Sequence, residues 1–135
     1  MRELTLEAAV EHIPELTQIV DAELEKAGCP PCAQTQIDVA VDELFSNIAA
    51  YAYGESGGSV TVQIRVDRAG RAAELTFMDG GVPYNPLKQK DPDVFLAIEN
   101  RNLGGFGIFI VKKSMDQVRY EYKDGQNCLT VRKEW

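Results

Sequence analysis

The chain has 135 residues, 44% hydrophobic and 26% charged, proportions that are typical of a globular domain with one core. Its net charge of −7 and pI near 4.7 argue against nucleic acid or an anionic membrane as main partner, because phosphate binding requires a basic surface. No apolar run approaches the roughly 20 residues that cross a bilayer, and no signal segment is evident. We expect one cytoplasmic domain over residues 1–135.

Alternating apolar and polar residues predict a short strand over Arg2–Glu7. Apolar residues at the helical period then predict a helix over Ile13–Ala27, with Pro14 in its first turn and Gly28 at its end. A longer helix is expected over Ala33–Tyr53. The first part of the chain is therefore one strand followed by two helices.

A hairpin is predicted from the strands Ser59–Val66 and Ala73–Met78, joined by a turn that has Gly70 at a positive φ. A polar segment follows, in which Pro92–Glu99 has apolar residues at helical spacing. The hairpin strands must pair in antiparallel fashion, because only a tight turn connects them.

The last part of the chain predicts a helix over Ile108–Met115 and a closing hairpin from Val118–Tyr122 and Cys128–Lys133. Strands that cluster with helices between them favour a sheet covered by helices on one face. We therefore expect an α+β fold, a two-layer α/β sandwich with a mostly antiparallel, mixed sheet.

The three cysteines include a Cys-Pro-Pro-Cys formed by Cys29 and Cys32. This spacing is compatible with a redox pair or with half of a zinc site. A four-ligand site of Cys and His would also need Cys128 and His12, the only other thiol and the only imidazole. We favour a proline-rich helix start without such chemistry, and an odd number of thiols fits a reducing compartment.

The helix over residues 33–53 carries Glu43 and Asn47 one turn apart, along the edge of its apolar stripe. The stripe consists of Ile37, Val41, Leu44, Ile48 and Ala52. Polar groups that are half in the interior are costly unless they have a partner or a role. A carboxylate can accept a proton and an amide oxygen can bind magnesium. Taken alone, the pair is more typical of a solvated helix edge.

Two glycine-containing turns could also carry chemistry. Asp79-Gly80-Gly81 places a carboxylate at a strand end beside unobstructed backbone, where it could accept from an exocyclic amine; an ordinary turn is the alternative. Gly104-Gly105-Phe106-Gly107 precedes a helix, whose exposed N–H groups attract phosphate; a flexible loop is the alternative. The latter turn lacks the Gly-Lys-Ser/Thr of a P-loop.

Taken together and in this order, the three motifs resemble the N, G1 and G2 boxes of the GHKL ATPases, the superfamily of gyrase, histidine kinases and mismatch-repair ATPases. They correspond to residues 42–47, 79–86 and 104–112. The short chain, the Pro-Tyr-Asn-Pro at 83–86 and the Met-Asp-Gln-Val at 115–118 are similar to the bacterial anti-sigma-factor serine kinases.

The resemblance, which covers about residues 37–135, implies ATP and Mg²⁺ bound between the helices and one end of the sheet. It implies that Asp79 accepts from the adenine amine, that Gly81 lets the base approach, and that Asn47 ligates magnesium. Residues 91–103 would form a lid. The phosphate contacts implied are the N–H groups of Gly104, Gly105 and Gly107 and the side chain of Arg101.

In this resemblance Glu43 is the base that takes a proton from a serine hydroxyl of an anti-anti-sigma (STAS-type) partner. Sequestration of a sigma factor and a homodimer are also implied. One alternative is a nucleotide-gated protein-binding regulatory module with little or no kinase activity. Another is a structural domain with fortuitous glycines. Glu43 favours the kinase, because a pure binding module has no need of a base.

Overall fold

The computed structural model describes residues 1–88 and 107–135. Its five strands form one sheet in the order β1-β2-β3-β5-β4. The strands are β1 (Arg2–Glu7), β2 (Ser59–Asp67), β3 (Ala72–Asp79), β4 (Gln117–Lys123) and β5 (Gln126–Glu134). The helices are α1 (Ile13–Lys26), α2 (Pro31–Tyr51) and α3 (Gly107–Ser114), with 3₁₀ turns at Val10–His12 and Pro86–Lys88. The predicted two-layer α+β fold is confirmed, and every strand pairing that the structure describes is antiparallel rather than mixed.

Alternation along the strands assigns one sheet face to the core and the other to solvent. Val60, Val62 and Ile64 of β2 are almost completely buried, because successive strand residues point to opposite faces. The opposite face carries polar side chains, including the hydrogen-bonded hydroxyls of Thr5 and Thr61, 2.9 Å apart. The helices therefore cover a single face.

The helices close the core from one side. Buried residues recur at helical spacing on α1 and α2, namely Leu16, Val20, Leu24, Ile37, Val41 and Leu44. Helix α2 begins at Pro31, before the predicted Ala33, because proline suits a first turn where no amide partner is needed. Among the described residues, no helix combines the length and the apolar character that a bilayer crossing needs. The helical spacing noted for Pro92–Glu99 lies outside the described residues.

The β2–β3 turn corrects one prediction. Arg71, not Gly70, has the positive φ, at 53°. The Gly70 amide donates to Asp67 Oδ1 at 2.8 Å, and a Cβ at residue 70 would clash with the same carboxylate. Glycine is favoured there by the close side chain of Asp67 and not by a left-handed backbone.

In the β4–β5 turn, Asp124 and Gly125 do have positive φ, 54° and 77°, as a two-residue hairpin requires.

Two carboxyl groups face each other between α1 and α2, which the sequence did not predict. The Oδ1 atoms of Asp21 and Asp38 are buried without a hydrogen-bond partner among the described residues. Burial, together with the adjacent Asp21 carboxyl, raises the pKa of Asp38 to about 7. The same environment raises the pKa of the buried Cys29 thiol, chiefly through burial. Because the thiolate is the reactive form, this thiol is a poor nucleophile at neutral pH.

Candidate active site

A cleft of about 770 Å³ lies between α2, the start of α3 and the ends of β3 and β5. It is lined by Glu43, Asn47, Asp79 and Gly107, so the structure brings residues from all three sequence motifs together. Its walls are largely apolar and include Ile48, Val82, Ile108 and Leu129. Arg101, Gly104 and Gly105 lie outside the described residues. An apolar cleft with few polar groups is the usual form of a small-molecule site.

Asp79 is the last residue of β3 and is only 5% exposed. Its Oδ1 atom accepts two hydrogen bonds, from the Gly81 amide at 3.0 Å and from Asn127 Nδ2 at 2.9 Å. The Oδ2 atom has no hydrogen bond to the described residues, and the residue lines the cleft. The second oxygen of this otherwise buried carboxylate is available as an acceptor. Asp79 is therefore suited to accept from a donor group of a ligand.

Asn127 lies directly opposite Asp79 in the β3–β5 register and is 8% exposed. Its Nδ2 atom also donates to the Val82 carbonyl at 3.0 Å, and its Oδ1 accepts from the Tyr84 amide at 3.0 Å and from the Tyr120 hydroxyl. The amide thus ties β5 to the loop after β3 and orients Asp79. Sequence reasoning missed it, because the only signal was an amide shortly after a hairpin turn.

Gly81 has a structural reason to be glycine. A Cβ at this position would clash with the Ala52 carbonyl oxygen, a backbone atom. The next amide, Val82 N–H, donates to that oxygen at 3.1 Å. The absent side chain lets the loop after β3 pack on the C-terminal end of α2. Contact between Gly81 and an adenine base stays a prediction.

Glu43 and Asn47 lie half-buried, as the sequence predicted, one turn apart on α2. A Cβ on Gly107 would clash with Glu43 Oε2 and lie 3.2 Å from its Cδ. The Glu43 carboxylate therefore lies against the N terminus of α3, which carries a partial positive charge. Of the predicted phosphate-binding glycines, Gly107 is the one within the described residues.

The residues around the cleft are suited to bind magnesium only together with the phosphates of a nucleotide. Within the described residues no cluster of three or more His, Cys, Asp or Glu could hold a metal ion. Magnesium keeps several waters and commonly takes one or two protein oxygens together with substrate phosphates. Asn47 can supply one such oxygen beside the Glu43 carboxylate.

The sequence matches the family model of the histidine kinase-like ATPase domain over residues 6–133. The chain belongs to this family. Membership in a family of ATPase domains implies ATP as the nucleotide, which fits a cleft that has a buried carboxylate at one end.

The curated proteins to which this histidine kinase-like ATPase domain is similar include serine kinases and an anti-sigma factor. It is 24% identical over 95 residues to a serine/threonine-protein kinase, BtrW of Bordetella bronchiseptica, covering 70% of this chain and 66% of that protein. It is 28% identical to an anti-sigma F factor of Pasteuria penetrans, covering 70% and 63%. It is 23% identical to the serine-protein kinase RsbW of Bacillus mycoides, covering 96% and 82%. The chain spans slightly less than two thirds of the first two. The resemblance to the anti-sigma-factor kinase branch is confirmed.

A solved structure shows the same fold. The structure of the RsbU and RsbW domains of Rv1364c from Mycobacterium tuberculosis aligns with a TM-score of 0.67 at 13% identity. The alignment covers 99% of this chain and 32% of that one. At this identity the likeness supports the antiparallel sheet with helices on one face, and not a shared activity.

Proposed function

We propose that this domain binds ATP and Mg²⁺ in the cleft and transfers the γ-phosphate to a serine of an anti-anti-sigma (STAS-type) protein. We also propose that it sequesters a sigma factor. The observation that carries this proposal is the meeting of Glu43, Asn47, Asp79 and Gly107 at one cleft. The names of the similar proteins, which include serine kinases and an anti-sigma F factor, support it. A single domain over residues 1–135, a homodimer and a cytoplasmic location stay predictions.

The adenine would lie at the Asp79 side of the cleft. Asp79 Oδ2 would accept from the exocyclic amine, since its Oδ1 is already held by Gly81 and Asn127. Where adenine has its exocyclic amine, a hydrogen-bond donor, guanine has a carbonyl oxygen, which a carboxylate would repel. This contact would make the site selective for adenine nucleotides.

The phosphates would lie toward α3. Backbone N–H groups at the start of α3, beginning with Gly107, favour an anion, and Asn47 would hold the magnesium ion. A magnesium ion held there would supply positive charge to offset that of the phosphate oxygens. Gly104, Gly105 and Arg101 are proposed to contribute further phosphate contacts.

Glu43 would act as the general base. Its carboxylate is half-buried and lies beside the N terminus of α3, next to the proposed phosphate position. It would orient the serine hydroxyl of the partner and accept its proton as the oxygen attacks the γ-phosphorus. The bond from that phosphorus to the β–γ bridging oxygen would break, and ADP would leave. Positioning and charge neutralisation supply most of the acceleration in such reactions, so the base contributes only part of it.

A nucleotide-gated binding module with little or no kinase activity is the second candidate. Large apolar side chains are exposed beside the cleft, with Tyr51 75%, Val82 69% and Tyr84 48% exposed. Such a rim could contact a partner protein whether or not phosphate is transferred.

Transfer of labelled γ-phosphate to purified STAS-type proteins of the same genome separates the two candidates. Glu43→Gln keeps the side-chain shape, so ATP affinity should stay within about twofold while transfer falls roughly 10²-fold or more. Glu55→Gln, an exposed substitution away from the cleft, is the control and should transfer normally. Equal transfer by the Glu43 variant would show that Glu43 is not the base, and binding without transfer by the wild type would favour the binding module.

A further inference from the structure

Tyr53, two residues after α2, ties together two backbone segments at the Asp79 side of the cleft. Its hydroxyl accepts from the Gly80 amide at 2.7 Å and donates to the Ser59 carbonyl at 2.7 Å. The first bond reaches the turn after β3 and the second reaches the first residue of β2. A phenolic hydroxyl has one donor, and here it is used.

The ring of Tyr53 is held as firmly as its hydroxyl. A Cβ at Gly58 would clash with ring atoms Cε1, Cζ and Cδ1, so the ring packs directly on the Gly58 backbone. A Cβ at Gly80 would lie 3.6 Å from the hydroxyl oxygen, an ordinary contact distance. Packing on one side and hydrogen bonding on the other therefore fix where the hydroxyl lies.

The held residue, Gly80, is the link between the two proposed adenine-site residues. The amide of Gly81 donates to Asp79 Oδ1 at 3.0 Å, so a shift of Gly80 would move both partners of that bond. Tyr53 itself is not among the described residues that line the cleft. It can influence a ligand only through the turn that it holds.

We propose that Tyr53 is a positioning residue for base recognition, which fixes the Gly80 amide so that Asp79 presents its free oxygen to adenine. This inference rests on the proposed function, because it presupposes that a nucleotide base binds beside Asp79. A residue with this role affects binding of the base and leaves binding of the phosphates unchanged.

The test compares three ligands, ATP, GTP and inorganic tripolyphosphate, by calorimetric titration of wild type and Tyr53→Phe. Phenylalanine keeps the ring and removes only the hydroxyl. The variant loses both hydrogen bonds of the hydroxyl. Loss of the bond to the Gly80 amide should weaken ATP affinity roughly five- to tenfold, with GTP and tripolyphosphate affinities unchanged. Thr5→Val is the control, since it removes another hydrogen-bonded hydroxyl, that between Thr5 and Thr61, and should leave all three affinities unchanged.

Gly58→Ala displaces the same hydroxyl without altering Tyr53, because the added methyl group must push the ring away. It should reproduce the loss of ATP affinity, and the double variant should lose no more than either single one, as expected for two changes that act through one contact.

The outcomes separate this inference from the proposed function. If the wild type binds ATP and Tyr53→Phe keeps both the affinity and the ATP/GTP ratio, the positioning role is wrong while the proposed function stands. If ATP and tripolyphosphate affinities fall together, Tyr53 is only structural and the inference is overturned. A wild type that binds no ATP overturns both.

Discussion

The two ends of the cleft are built in different ways. We call the first the Asp79 end, formed by Asp79, Gly81 and Asn127, and the second the Glu43 end, formed by Glu43, Asn47 and Gly107. At the Asp79 end a side chain on the glycine would meet backbone, the Ala52 carbonyl. At the Glu43 end it would meet the tip of a flexible side chain, the Glu43 carboxylate.

This difference separates recognition from reaction. The Asp79 end is held by backbone contacts and by the side-chain amide of Asn127, whose nitrogen and oxygen each make two hydrogen bonds. Such an arrangement suits a fixed base-binding site. The Glu43 end places a carboxylate that can move by rotation of its own bonds, as suits a group that must meet an incoming hydroxyl. The contrast predicts that changes at the Asp79 end affect stability and base selectivity, and that changes at the Glu43 end affect transfer.

The largest effect is expected for Gly81→Ala. Because the added methyl group collides with backbone that cannot rotate away, we expect a loss of about 3 kcal/mol in the free energy of unfolding. Denaturant unfolding measures it. Gly80→Ala is the matched control: the nearest atom to its Cβ is 3.6 Å away, so stability should change by less than about 0.5 kcal/mol. Equal losses for both glycines would contradict the assignment of a rigid contact at 81.

The second-largest effect is expected for Asp79→Asn. The asparagine oxygen can still accept from Gly81 and Asn127, so the fold is retained, but an amide nitrogen replaces the free oxygen. We expect ATP affinity to fall by about 2 kcal/mol, roughly 30-fold, while GTP affinity does not fall. Calorimetric titration with both nucleotides measures this. Unchanged discrimination would show that Asp79 does not contact the base.

Gly107→Ala tests the Glu43 end. The methyl group displaces the Glu43 carboxylate at little structural cost and improves helix propensity, so stability should be equal or slightly higher. We expect phosphate transfer to fall about tenfold, or roughly 1.4 kcal/mol, while ATP affinity changes less than twofold. If Gly107→Ala lowered the free energy of unfolding as much as Gly81→Ala, the proposed difference between the two ends would be wrong.

The Asp21–Asp38 pair provides a reference outside the cleft. The pKa of Asp38 is raised from its ordinary value of 3.8 to about 7 in the folded protein. The contribution of Asp38 to the free energy of unfolding is therefore fully present below pH 3.8 and is lost as the pH rises through 7. Allowing for solvent screening of a half-buried group, Asp38→Asn should be about 1 kcal/mol more stable than wild type at pH 8 and nearly equal at pH 4. Unfolding curves at the two pH values measure it, and a variant with the same pH dependence as wild type would contradict the raised pKa of Asp38.

Local patterns predicted the elements well, since the strands and helices follow from alternation, helical period and turn residues. What the sequence could not predict depends on which segments meet in space. Asn127 became significant only because β5 inserts between β3 and β4, which places it opposite Asp79. In the same way, the Gly81 contact and the Asp21–Asp38 pair depend on how α2 packs against its neighbours.

The central claim is that both ends of the cleft contact one nucleotide. A nuclear magnetic resonance titration with a non-hydrolysable ATP analogue and Mg²⁺ tests it through the backbone amides of Gly81 and Gly107. The account predicts that both signals shift with the same dissociation constant. Shifts with different constants, a shift of only one amide, or none at millimolar analogue would contradict it.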